Sequence, residues 1–163
     1  MLGLYGCALL RAKGVERVIV VDTDPARLEL VGQFGGKPAL KTAGSLLQPG
    51  RADAAFEVAG SSAVVPEGIR LLRFGGYYAF VGMVHPTTPL ELSGQIVLRH
   101  CLTLRGFHNY APRHLQSAIK FLSEHGSNFP WAKMVSPAFP LAEINAAFAE
   151  ARKRKWLRVS VQP

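Results

Sequence analysis

The chain has 163 residues, 48% of them hydrophobic and 18% charged, with a formal net charge of +8. Such a composition fits a globular domain with a core of its own, and no run approaches the roughly 20 apolar residues of a membrane span. The positive balance raises the question of nucleic acid, but the basic residues are dispersed except for Arg152-Lys153-Arg154-Lys155. No aromatic-interleaved basic stripe accompanies that run, which reads instead as a helix end that favours cations.

Residues 4–13 read as a helix with Leu4, Cys7 and Ala8 on one small apolar face, ended by Gly14. Residues 17–22 form a β-branched run, as a strand buried on both faces requires. Asp24 followed by Pro25 marks a helix start, cap and first position, for a helix expected to reach Phe34 and stop at Gly35-Gly36. Ala39-Leu40 is a short strand, and 42–50 a loop or short helix. Ala54–Val58 is a strand ending at Gly60. A helix is expected over 62–73, stopped by Gly75-Gly76, then a strand over 77–81 closed by Gly82, and another over 101–105 before Gly106. Beyond it lie a helix from Pro112 to Glu124, a connector Phe129-Pro130-Trp131, a helix from Ala142 to Lys153 and a final strand 157–161.

Strand and helix thus alternate at βαβ spacing, which implies a mostly parallel sheet with helices on both faces. Ligands of such sheets sit beyond the carboxyl ends of the strands, here Asp22, Val58-Ala59-Gly60, Val81-Gly82-Met83 and Gly106-Phe107-His108. The opening Met1-Leu2-Gly3, a helix, a buried strand and an acid about nineteen residues on match the second half of a dinucleotide-binding βαβ unit. The strand and two glycines that open such a unit would precede Met1. The expected fold is therefore α/β, an incomplete Rossmann-type doubly wound parallel sheet lacking its first strand, plus a C-terminal helical tail with a final strand.

Taken in order, Met1-Leu2-Gly3, Val20-Val21-Asp22, Phe56-Glu57-Val58-Ala59-Gly60, Gly75-Gly76 with Val81-Gly82, Phe139-Pro140-Leu141 and Leu157-Arg158-Val159 resemble the zinc-type alcohol dehydrogenases of the medium-chain dehydrogenase/reductase superfamily. Arg105–Tyr110 looks most like a branch associated with phosphonate catabolism. The resemblance implies that residues 1–106 are part of an NAD(P)-binding Rossmann domain. Residues 107–163 would pack on a GroES-like catalytic domain, and that domain's zinc ligands would precede Met1. It implies NAD as the coenzyme, oxidation of an alcohol or polyol as the parent activity, and a homo- or hetero-oligomer formed through an edge strand near residues 90–105. A chain with only these parts is expected to bind NAD weakly and to be inactive alone; an association role, or nucleotide binding without hydride transfer, are the alternative readings.

The expected coenzyme residues follow. Asp22 would accept the ribose hydroxyls and repel the extra phosphate of NADP; a loop acid is the plainer alternative. Gly3 would let the helix approach its strand near the pyrophosphate, and Arg158 resembles an arginine that reaches it. Val58, Ala59 and Gly60 would lie beside the adenine-side ribose; Val81, Gly82 and Met83 near the nicotinamide; Phe107 and His108 where the family contacts the carboxamide. Arg27 reads as a solvated helix residue, Asp24 as a cap, and His85 and His108 as the best-placed histidines, each still a surface residue on the plainer reading. No catalytic residue is assigned, and no metal site, since the five histidines and two cysteines have no ligand spacing. Nothing points to nucleic acid or membrane as a partner. No leader is legible at the N-terminus, and Cys7 and Cys101 make no disulfide framework, so a cytoplasmic protein is expected.

Overall fold

The computed structural model describes residues 1–41, 48–83, 89–90 and 92–163. The expected loop or short helix at 42–50 falls largely outside these, and so does His85. The described elements run in order α1 (Leu2–Ala12), β1 (Ile19–Asp22), α2 (Pro25–Leu28), β2 (Lys37–Leu40), β3 (Ala52–Glu57), α3 (Val65–Leu71), β4 (Leu72–Phe80), α4 (Gly94–Arg99), β5 (Thr103–Gly106), α5 (Pro112–His125), β6 (Val135–Pro140), α6 (Ile144–Arg152) and β7 (Arg158–Gln162). All strand pairs are parallel. They form a pair β1-β2, a triplet β3-β4-β5 and a pair β6-β7.

Two compact units result. One joins Met1–Leu40 to Pro112–Pro163, and the other is Lys41–Ala111. In the first, α1 buries Leu4, Cys7 and Ala8, spaced three and four apart as a helix face demands. They meet Val31, Phe34 and Met134 in one core. Around it Trp131 stacks on Tyr5 at 5.2 Å and meets Phe34 edge-on at 5.1 Å, while Phe129 lies parallel to Phe34 at 5.8 Å. In the second unit α3 lays Val65 and Ile69 against Leu72 and Tyr78.

The expected helix to Phe34 is interrupted. α2 ends at Leu28, and Val31–Phe34 is a 3-10 turn closed by Gly35 at φ 80°. In a 3-10 turn residues i and i+3 eclipse, which puts Val31 and Phe34 on the same side; both are fully buried. The Gly75-Gly76 pair does not separate helix from strand either. β4 begins at Leu72, with Ala52 opposite Leu72 but Ala54 opposite Tyr77, so the residues between form a bulge. Gly75 takes φ 69° there and its N–H donates to His100 O at 2.9 Å. Arg73 Nε holds Asp53 across the bulge at 2.6 Å.

Two elements have no counterpart in the sequence reading. α4 occupies much of the 90–105 stretch read as an edge, leaving Thr103–Gly106 as its strand. β6 carries Pro137 and Pro140, which a strand tolerates at an edge. Ser136 fastens β6 to β7: its hydroxyl accepts from Ser160 N–H at 3.1 Å and donates to Pro137 O at 2.7 Å.

Among the described residues β1 pairs only with β2, and β3 only with β4. Each keeps one unpaired flank, and Val21 and Phe56 are 41% and 51% exposed. No helix among the described residues is long and apolar enough to cross a membrane.

Candidate functional site

The expected site residues fall into two groups, one on each unit. On the second unit the register sets Glu57 opposite Phe80 and Phe80 opposite Gly106. The three strands therefore end level, and Val58–Gly60, Val81–Met83 and Phe107-His108 leave from one sheet edge. Phe107 N–H continues the ladder to Phe80 O at 2.9 Å. Phe107 is exposed with the Arg105 guanidinium 5.0 Å from its ring centre, and His108 Nε2 lies 3.1 Å from Asn109 Nδ2.

The turns after β3 and β4 approach very closely. A Cβ on Gly82 would fall 2.7 Å from the Val58 carbonyl carbon and 2.8 Å from Gly60 N, and one on Gly60 would fall 3.0 Å from Gly82 O. Gly60 also takes φ 74°. Glycine is required at both positions, by space at Gly82 and by backbone conformation as well at Gly60.

Glu57 builds this junction, and the sequence reading gave it no role. It is only 3% exposed. Its Oε1 accepts from the N–H groups of Ala59 at 2.7 Å and Gly60 at 2.6 Å, and its Oε2 from Gly82 N–H at 3.1 Å. Its main-chain carbonyl takes Val81 and Gly82 N–H, both at 3.0 Å. A carboxylate has acceptor capacity for all three loop amides at once. Its charge also acts on Tyr78, whose pKa is pushed up to about 12 by burial first and by Glu57 second. Its trace in the sequence is no more than an acid at the end of a strand, ahead of Val58-Ala59-Gly60.

On the first unit Asp22 ends β1, half-buried, with Oδ1 accepting from Asp24 N–H at 3.1 Å. Asp24 caps α2, accepting from Ala26 N–H at 3.0 Å, and pairs with Arg27 at 3.6 Å. Arg27 is thus a surface residue tied to the cap. Gly3 lies where α1 comes down on β1: a Cβ there would be 3.5 Å from Val20 Cγ1, ordinary contact. The half-buried α-amino group of Met1 reports what surrounds it. Its pKa is lowered by burial first, then by Arg27 and Arg158, while Asp22 raises it. Arg27, Arg158 and Asp22 thus each act on the amino group at the start of α1.

On the first unit, a carboxylate at a strand end can take ribose hydroxyls, and the cations that act on the start of α1 suit an anion. For zinc the residues do not fit: among the described ones no three His, Cys, Asp or Glu gather as a ligand group.

Parallel strands joined by helices, with their ends opening on Gly-rich turns, define a Rossmann-type α/β chain. The chain belongs to the zinc-binding dehydrogenase family, whose model matches residues 2–124. It is similar to the L-threonine 3-dehydrogenase of Bacillus subtilis, 25% identical over 173 residues covering 99% of this chain and 48% of that protein. The solved alcohol dehydrogenase of Thermotoga maritima superposes with a TM-score of 0.84 at 25% identity, covering 99% of this chain and 47% of that one. The same fold recurs in an Escherichia coli alcohol dehydrogenase complexed with NADH (TM-score 0.80, 16% identity, 97% of this chain and 48% of that one). It recurs also in a Sinorhizobium meliloti zinc-binding dehydrogenase bound to NADP (TM-score 0.83, 20% identity, 98% of this chain and 49% of that one). The chain spans about half the length of the curated relatives it matches.

Proposed function

We propose that this chain is the coenzyme-binding portion of an NAD-dependent alcohol or polyol dehydrogenase, with candidate coenzyme residues on each unit. The observation that carries this is the placement of Asp22, half-buried at the end of β1. Asp22 accepts the adenosine ribose hydroxyls, and its charge disfavours the 2′-phosphate of NADP. Gly3 gives α1 its close seat beside β1, and Arg158 supplies positive charge for the pyrophosphate. Val58, Ala59 and Gly60 line the ribose, Val81, Gly82 and Met83 the nicotinamide end, and Phe107 and His108 the carboxamide. When bound, the coenzyme supplies the hydride acceptor. This reading gives no residue of the chain a part in proton transfer.

Residues 1–106 are the Rossmann portion on this reading, and 107–163 the segment that packs on a GroES-like catalytic domain. The exposed stripe Leu115, Ile119 and Leu122 on α5, which buries none of its residues, supports the second assignment. The unpaired cysteines suit a cytoplasmic protein. Association of subunits through the outer flank of β5 is a second reading, favoured by its pairing, among the described residues, with β4 alone. Calorimetric titration with NAD, alongside an alcohol oxidation assay with added zinc, tests the proposal. Weak binding without turnover is expected. Absence of binding overturns the coenzyme role, and micromolar binding with turnover overturns the inactivity.

A further inference from the structure

We propose that Glu57 is a positioning residue: it preforms the half-site on the second unit by holding the turns after β3 and β4 at one spacing. The inference rests on the coenzyme reading above but is carried by its own geometry. One buried side chain takes the N–H groups of Ala59, Gly60 and Gly82, and its carbonyl takes Val81 and Gly82 again. Val58–Gly60 and Val81–Met83 are thereby fixed to a single residue. They also touch at Gly82, where no Cβ fits, so neither turn can move without opening the other.

A consequence for recognition follows. The amides of Ala59, Gly60 and Gly82 are occupied from inside by a carboxylate and are not offered to an incoming anion. This half-site therefore does not hold a phosphate through these three amides. The anion-binding part of the proposed coenzyme site is left to the first unit, with Arg158.

Glu57→Gln separates this role from plain stability. Glutamine has the same shape but one acceptor oxygen and a donor NH2, so it cannot satisfy Gly82 together with Ala59 and Gly60. Glu57→Asp keeps the charge but is one methylene shorter. Amide hydrogen exchange in the full chain without ligand is the primary readout. In Glu57→Gln the amides of Ala59 and Gly60 together, or that of Gly82, which keeps only the Glu57 main-chain carbonyl, exchange roughly tenfold faster or more, while Tyr78–Phe80 in β4 keep their protection. In Glu57→Asp Gly82 loses protection first. Adding NADH restores slow exchange in the variant and changes it little in the parent, and NADH affinity in the variant falls by roughly tenfold.

Unchanged loop exchange in Glu57→Gln overturns the clamp. Loss of protection throughout β4 together with the loops reduces Glu57 to general stability and also overturns the proposal. Loops loosened with NADH affinity unchanged overturn the positioning role. If the parent chain binds no NADH, the coenzyme reading fails, and the ligand-free exchange still decides whether Glu57 preforms the turns.

Discussion

Cys7 Sγ stands where a side chain on Gly36 would begin: a Cβ added to Gly36 would lie 2.6 Å from that sulfur and 2.9 Å from Val31 Cγ1. The contact joins α1 to the start of β2 inside a core that excludes water from Cys7, Val31 and Gly36 alike. Gly36→Ala is therefore expected to destabilise the chain by about 1–3 kcal/mol through overpacking. Thermal unfolding checks this, with a fall of roughly 2–4 °C per kcal/mol for a chain of this size. Gly32→Ala is the control: nothing lies within 4 Å of its added Cβ and φ is not positive there, so stability should hold or rise slightly.

The two thiols should differ sharply in reactivity. Cys7 is buried, its pKa pushed up to about 11 by burial, whereas Cys101 is exposed. Thiolate is the reactive form. A disulfide reagent at neutral pH should label Cys101 quickly and reach Cys7 only as the chain unfolds. Two equally fast thiols in the native protein would contradict the described core.

Alkaline pH should weaken the fold in a definite window. Cys7 and Tyr78 both have folded pKa values raised by burial, to about 11 and about 12. Above pH about 9 the unfolded chain holds fewer protons than the folded one, so stability falls with rising pH. The contribution is complete below the unfolded values and is lost as pH climbs through the folded ones. Each shift of about two units corresponds to roughly 3 kcal/mol. Urea midpoints at pH 8, 10 and 11 check the trend, and Cys7→Ala should flatten its lower half.

Asp22→Asn tests the coenzyme half-site on the first unit. Losing the charge should weaken NADH binding about tenfold, the loss of a charged hydrogen bond, and narrow any preference against NADPH. Asp24→Ala should act differently. It removes the cap of α2 and costs about 1 kcal/mol of stability, with a smaller effect on the coenzyme. Fluorescence titration with both coenzymes, beside thermal unfolding, separates the two carboxylates.

Much of the α/β order was legible because β1, β3, β4 and β5 end at or shortly before Asp22, Gly60, Gly82 and Gly106, and helices begin at caps such as Asp24-Pro25. What escaped has physical causes. The Gly75-Gly76 pair looks like a helix stop in sequence, but a bulge uses the same freedom of φ. β6 hides behind two prolines that an edge strand tolerates. α4 is short and none of its residues is buried, so it leaves no amphipathic stripe to find. For the site, the residues at strand ends could be named from spacing. Glu57 could not, because its work is inward: it spends its acceptors on the backbone of its neighbours, and nothing in a one-dimensional pattern says where a carboxylate finds its donors.

The first compact unit is discontinuous, Met1–Leu40 with Pro112–Pro163, and this orders events at synthesis. Lys41–Ala111 is a continuous stretch and can assemble as soon as it leaves the ribosome. The first unit must wait. Tyr5 and Phe34 emerge early, but Phe129 and Trp131, which cover them, are made near the end, and the closure entropy of the intervening chain is paid before their contacts form. Asp22 and Arg158 therefore belong to one folded unit only once β7 has been made. A nascent chain halted before β7 would carry the turns of the second unit already set while the Asp22 neighbourhood was still incomplete.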